Sequence, residues 1–247
     1  MFKKVPVGII GTGKVACDLL VKVMKSKYLE CIMFAGQHED SLGIAFAKSL
    51  NIPASTKSVE GVVASDAIIV FDATSAQAHK NNLRYLGDRF TIDLTPAKLL
   101  PICVPAINLT SSIKGKGVNL GSCTIQAVLP RLMKLKNLEY VEVVTTIASN
   151  SAGMGTRENL SEYLIITAKI ITQFTGAKAK AILVINPVLQ KMHNTIYYKQ
   201  KDKDEIRIIQ FEIAGDGDYL DKRFGNLCVM TNSAIKVAEA YARKNLG

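Results

Sequence analysis

Tryptophan is absent from the 247 residues, and Phe and Tyr bring the aromatic share to only 6%. A chain that is nevertheless 48% apolar must fill its core mainly with aliphatic side chains, and its 21% of charged residues fits a soluble globular protein. Histidine is scarce: His38, His79 and His193 are scattered, with no ligand-like grouping. The five cysteines (Cys17, Cys31, Cys103, Cys123 and Cys228) are odd in number and lack paired metal spacing, which excludes a zinc module and a disulfide framework. Unpaired thiols suit a reducing compartment, so a cytoplasmic protein is expected. No apolar run approaches the ~20 residues of a membrane span, and Met1–Lys4 is too short for the charged region of a signal peptide. No membrane partner is expected. The formal charge is +10, but no basic block is interleaved with aromatics, and the densest lysine cluster, Lys199 to Lys203, is cut by Asp202. That pattern argues against nucleic acid and leaves phosphate-bearing ligands or acidic partners.

What is present begins with Val5 to Ile10, an apolar run that reads as a buried strand, followed by Gly11-Thr12-Gly13-Lys14-Val15-Ala16 and a helix-like run to Met24. Strand, glycine turn and helix in this order make a dinucleotide site: the first glycine allows the tight turn, the second lets the backbone approach a pyrophosphate, and Ala16 substitutes for the third. Further strands are predicted at Leu29 to Ala35, Ala67 to Phe71 and Phe90 to Leu94, with helices at Ser41 to Leu50 and Ala76 to Leu86. The alternation predicts an α/β fold with an N-terminal Rossmann, doubly wound parallel sheet. At the end of the second strand, where NAD enzymes place an acidic residue on the ribose, stand Gln37 and His38, with Glu39 and Asp40 beyond. NAD versus NADP stays open.

The pattern changes after about residue 110. Cys123 lies where a turn-rich stretch, Gly117 to Leu120, gives way to a helix over Cys123 to Leu135. A helix N-terminus offers unpaired N–H groups and a positive dipole end, which favour a thiolate and can hold an oxyanion. A lone cysteine is more often a small buried hydrophobe. Beyond it, β-rich runs at Tyr140 to Ile147, Lys180 to Ile185, Asn194 to Tyr198 and Glu205 to Ile213 surround one helix, Glu158 to Phe174, and a last helix runs from about Asn226 to Lys244. They predict a second domain of α+β type over 121–225 with a mostly antiparallel sheet. The Rossmann domain, 1–120, would be completed by the C-terminal helix, 226–247.

Several stretches, in order along nearly the whole chain, resemble the acylating acetaldehyde dehydrogenase family: Ile69 to His79, Ile92 to Pro96, Ser151 to Arg157, Ala181 to Pro187, Gly215 to Tyr219 and Gly225 to Leu227. Ser122-Cys123-Thr124-Ile125-Gln126 is also similar, more distantly, to the cysteine motif of aspartate-semialdehyde and glyceraldehyde-phosphate dehydrogenases. The resemblance implies an enzyme interconverting acyl-CoA plus NAD(P)H with aldehyde, CoA and NAD(P), with Cys123 as the acyl-thioester nucleophile and Gln126 beside it. It implies nucleotide contacts from Gly11, Thr12, Gly13, Lys14, Val15, Thr74, Ser75, Ser151, Ala152, Gly153, Gly155, Thr156, Arg157 and Asn226. Ordinary roles stand beside these: Arg157 as a surface residue of a helix's first turn, Asn226 as a helix cap, Gln126 as a solvated helix residue.

The chain departs from the family at three places. The ribose-binding aspartate falls on His38. The proposed catalytic aspartate falls on Asn194, which cannot act as a base, whereas neighbouring His193, with an ordinary pKa near ~6.5, could if the backbone there were irregular. The chain is also short between Tyr198 and Glu205, where relatives carry a helical insertion, so docking onto a partner aldolase is not expected. The resemblance makes 121–225 the catalytic and dimerisation domain and implies a homodimer or higher oligomer through its sheet. Open alternatives are an acyl-carrier-protein thioester reductase, a semialdehyde dehydrogenase and a non-catalytic nucleotide-binding regulator.

Overall fold

In the computed structural model, residues 4–153, 157, 160–188 and 191–246 are described. The chain forms two compact units, Met1–Leu120 with Thr231–Gly247, and Gly121–Met230.

The first unit is built on six parallel strands, β1 (Val5–Ile10), β2 (Leu29–Ala35), β3 (Ala54–Ser55), β4 (Ile69–Asp72), β5 (Phe90–Asp93) and β6 (Gly117–Asn119), in the order β3-β2-β1-β4-β5-β6. The order reverses beside β1, and in such sheets ligands bind beyond the strand C-termini at that switch point. Helices α1 (Lys14–Lys25), α2 (Leu42–Ser49), α3 (Ser58–Val63), α4 (Ala76–Asn82) and α5 (Pro105–Ser112) make the connections. The strand β6 falls where the sequence suggests only turns. Three residues carry no readable period, and the glycine hides a packing demand: a Cβ on Gly117 would stand 2.5 Å from the Thr91 carbonyl oxygen of β5. The core is not purely aliphatic. Phe34, Phe71 and Phe90 are fully buried among Ile9, Ile10, Leu19 and Leu20. Tyr241 stacks on Phe90 with ring centroids 4.0 Å apart, tying in the last helix, α8 (Gly225–Leu246).

The second unit starts with α6 (Cys123–Leu132) and carries a four-stranded sheet of β7 (Leu138–Ala148), β8 (Lys178–Asn186), β9 (Met192–Gln200) and β10 (Arg207–Ile213), ordered β10-β9-β7-β8. The pairs β10–β9 and β9–β7 are antiparallel. The pair β7–β8 is parallel, because α7 (Leu160–Thr175) intervenes and returns the chain in the same direction. The helices α6 and α7 pack together, α7 against β8 and α6 against β9. In β9 the residues alternate between faces: Met192, Asn194, Ile196 and Tyr198 are buried, while His193 and Tyr197 are half-exposed.

Candidate active site

The glycine turn follows β1 directly. Gly11 has φ +117°, a conformation L side chains rarely adopt, and a Cβ there would meet the Ala73 carbonyl oxygen at 2.7 Å. Gly13 precedes α1 with an extended backbone, and a Cβ on it would meet nothing within 4 Å. No side-chain hydrogen bond caps this helix, and a helix start beside the open space at Gly13 suits a pyrophosphate. Thr12 fills the angle between Gly36 and Gly43, where Cβ atoms would stand 2.2 Å from its Cγ2 and 2.3 Å from its carbonyl oxygen. Lys14 and Val15 form the first turn of α1, both with side-chain surface exposed to some degree. Gln37 and His38 are exposed beyond β2, and Glu39 pairs with Lys48.

Ser75 caps α4 by accepting from the Ala78 N–H at 3.2 Å, and Thr74 donates to Asp72 at the end of β4. Beneath this turn lies a buried cluster that sequence patterning left unassigned. His79 is fully buried; its Nδ1 lies 2.9 Å from Asp72 Oδ2 and its Nε2 3.2 Å from Asp93 Oδ2, the latter a charge contact outside hydrogen-bond geometry. Asn82 also donates to Asp72 (3.0 Å), and Asn119 donates to Asp93 (2.5 Å). Burial opposes a charge on His79, but the Asp72 hydrogen bond and the charges of Asp93 and Asp72 outweigh it and raise its pKa.

Cys123 opens α6. Gly121 (φ +69°) turns the chain, and Ser122 caps the helix by accepting from the Ile125 N–H at 3.2 Å. The thiol is 9% exposed. Burial raises its pKa, while contacts with the Tyr163 hydroxyl, with the Thr124 N–H and hydroxyl, and with its own N–H act in the opposite direction. Those two N–H groups are the oxyanion donors expected of a helix start. Gln126, one turn on, is buried, so the reading of a solvated helix residue does not hold.

The sulfur has a neighbour no motif announced. Tyr163, from α7, places its hydroxyl 3.3 Å from Cys123 Sγ and 2.9 Å from Thr124 Oγ1. Thr124 bonds Thr145 of β7 (3.0 Å), and Thr145 bonds Asn194 Oδ1 of β9 (2.9 Å). Asn194 is fully buried and linked to Cys123 through three hydroxyls. His193 is not: β9 is regular here, with Thr145 opposite Asn194 and Thr146 opposite His193, so the imidazole projects to the other face. There it lies 3.3 Å from Thr195 Oγ1 and 4.0 Å from Glu212. The structure therefore corrects the expectation of His193 as a base at Cys123.

After β7, Ser149–Ser151 forms a 3-10 turn, and Ser151 donates to the Ala148 carbonyl at 2.7 Å. Arg157 braces this loop, donating to the carbonyls of Ala152 (3.0 Å) and Ser149 (2.9 Å), while its own N–H donates to the Gly153 carbonyl. Gly155 and Thr156 lie outside the described residues. Asn226 is not a helix cap: the Phe224 carbonyl accepts from Leu227 and Cys228, leaving Asn226 inside the first turn of α8. It is 4% exposed, and its Oδ1 has no hydrogen-bond partner among the described residues, an acceptor suited to an amide such as a nicotinamide carboxamide. Within the first unit, the glycine turn and the start of α1 fit the pyrophosphate of a dinucleotide. A separate basin of about 310 Å³, lined by Lys22, Lys25, Ser26, Lys236 and Glu239, lies at the C-terminal end of α1, away from the glycine turn, and is not the nucleotide site.

Sheet order, glycine turn and a helix-start cysteine define a Rossmann-fold oxidoreductase with a candidate thiol nucleophile. Among solved structures, aspartate semialdehyde dehydrogenase II from Vibrio cholerae, in complex with ASA, superposes with a TM-score of 0.61 at 12% identity, covering 81% of this chain and 75% of that one; this is a likeness of fold. The family model for prokaryotic acetaldehyde dehydrogenase, dimerisation, matches residues 123–220. Acetaldehyde dehydrogenase of Pectobacterium atrosepticum is 36% identical over 291 aligned positions, covering 99% of this chain and 98% of its own. That of Carboxydothermus hydrogenoformans is 34% identical over 287, covering 100% and 96%. The chain belongs to the acetaldehyde dehydrogenase family. Both alignments exceed 247 positions, so the relatives carry residues this chain lacks. Here a short link joins β9 to β10.

Proposed function

We propose that the protein interconverts an acyl-CoA plus NAD(P)H with the aldehyde, CoA and NAD(P) through a thioester on Cys123. The observation that carries this reading is the position of Cys123 at the start of α6, where a helix offers free N–H groups, with the Tyr163 hydroxyl 3.3 Å from its sulfur. In the reductive direction the Cys123 thiolate attacks the acyl carbonyl, the bond to CoA sulfur breaks, and CoA leaves as its thiolate. The nicotinamide supplies the hydride. The resulting thiohemiacetal oxyanion re-forms the carbonyl as its bond to Cys123 breaks, releasing aldehyde and regenerating the thiolate; one proton is taken up on CoA. The N–H groups of Cys123 and Thr124 support the oxyanion in both halves. Gly11, Gly13 and the start of α1 would hold the pyrophosphate, and Asn226 would orient the carboxamide.

The outward face of the second sheet, which includes half-exposed Val144 and Thr146 and exposed Val184, supports a homodimer as the working form, and the five free cysteines suit the reducing cytoplasm. Replacing Cys123 by Ala is expected to reduce acyl-CoA-dependent NADH or NADPH oxidation at least ~10³-fold while leaving nucleotide affinity unchanged. Turnover that survives the substitution overturns the mechanism. A panel of acyl-CoA chain lengths against both nucleotides defines the substrate.

A further inference from the structure

We propose that Tyr163, Thr124, Thr145 and Asn194 form one hydrogen-bond wire whose direction is set by the Asn194 amide, and that Tyr163 is a catalytic residue donating to the Cys123 thiolate. The proposal rests on Cys123 being the nucleophile of the reaction above.

The direction of the wire follows from proton counting. Each hydroxyl has one proton. Thr145 donates to Asn194 Oδ1, so its contact with Thr124 must be one it accepts. Thr124 has then used its proton, and the 2.9 Å contact to Tyr163 must be donated by the phenol. Tyr163 has in turn used its own, so across 3.3 Å the Cys123 S–H donates to the phenol oxygen. The arrangement is that of a resting thiol.

A thiolate has no proton to give and would face the lone pairs of Tyr163. For the phenol to donate to sulfur with every contact along the wire kept, Thr124 must donate to Tyr163, Thr145 to Thr124, and the far end must supply a donor; the Ser122 hydroxyl, which also touches Tyr163 and lies 3.1 Å from Thr167 Oγ1, is a side branch off the wire. Asn194 can supply it. Its Nδ2 is buried without a hydrogen-bond partner among the described residues, and a half-turn of the amide, whose two ends have nearly the same shape, exchanges acceptor for donor. An ionised carboxylate at the same place could only accept. No proton travels to Asn194, whose amide oxygen is too weak a base. The thiol proton leaves to water, every hydroxyl keeps its own proton by rotating, and one negative charge remains on sulfur. The groups on the wire come from α6, α7, β7 and β9, and none of them carries a formal charge. His193 and Glu212 lie on the opposite face of the sheet. Burial and the neighbouring Cys123 push the Tyr163 pKa well above its ordinary value, so the phenol keeps the proton it must offer.

The test is the pH profile of Cys123 alkylation by iodoacetamide on the full chain, with the adduct located by mass spectrometry. It needs no substrate, so absence of acyl-CoA turnover would overturn the reaction without touching this result. Tyr163→Phe is expected to move the alkylation midpoint up by about one pH unit, the scale of a hydrogen bond to a charged group. Asn194→Asp is expected to raise it as well, because a fixed acceptor holds the wire pointing away from sulfur. In the double variant the Asn194→Asp increment should vanish, since the wire is already cut at Tyr163. An increment that persists in full marks a through-space charge and overturns the wire. An unchanged midpoint in Tyr163→Phe, which keeps the ring and removes one oxygen, overturns the proposal by itself even if the carboxylate variant does not fold.

Discussion

At the scale of single residues, the two glycines of the turn after β1 do different work. Gly11 is needed for the fold: its positive φ and the 2.7 Å approach of the Ala73 carbonyl leave no place for a side chain. Gly11→Ala should therefore lower stability by about 1–3 kcal/mol in denaturant titrations. Gly13 has an ordinary φ of −79° and open space beside it. Gly13→Ala should cost less than about 1 kcal/mol of stability yet weaken nucleotide binding about 10-fold or more, by denying a phosphate its approach to the backbone. Equal losses in both properties for the two variants would contradict the division. These glycines and Cys123 are legible in the sequence because each sits in a short local pattern. Tyr163 and Thr145 are not, because they stand 40 and 22 residues from Cys123 and meet it only through packing of α6, α7 and β7. Asn194 is legible only as a departure from the family.

At the scale of elements, the His79 cluster clamps the C-terminal ends of β4 and β5 where the Thr74–Ser75 turn leaves the sheet. The folded-state pKa of His79 is raised, so the native protein holds this proton more tightly than the unfolded chain. The resulting stabilisation is complete below the unfolded value of ~6.5 and is lost as pH rises through the folded value. Burial also raises Asp93, which acts with the same sign. The melting temperature should thus fall as pH is taken above ~6.5, and His79→Gln should flatten that dependence. A wild-type profile that rises through this range would contradict the assignment. The motif Ile69 to His79 marks the segment in the sequence, but not the partner on β5, which strand order brings alongside.

At the scale of the molecule, the second unit concentrates α6 and α7 on one face of its sheet and leaves apolar residues on the other at least partly exposed, Val184 by 40%. A homodimer through this face predicts that Val184→Glu weakens self-association by about 10-fold or more, read by sedimentation at falling protein concentration. Unchanged sedimentation would place the interface elsewhere. The mixed direction of the sheet was not legible: periodicity reports that a strand exists, while parallel pairing of β7 with β8 depends on where α7 returns the chain.

The sequence by itself determined the doubly wound sheet, the glycine turn, the family and the candidate nucleophile, because hydrophobic period, turn chemistry and short motifs are local properties of the chain. Only the tertiary structure decided what surrounds that nucleophile. Side-chain direction in a strand is fixed by pairing register, and register sends His193 to the far face while setting Asn194 opposite Thr145, at the end of the hydroxyl chain that reaches Cys123.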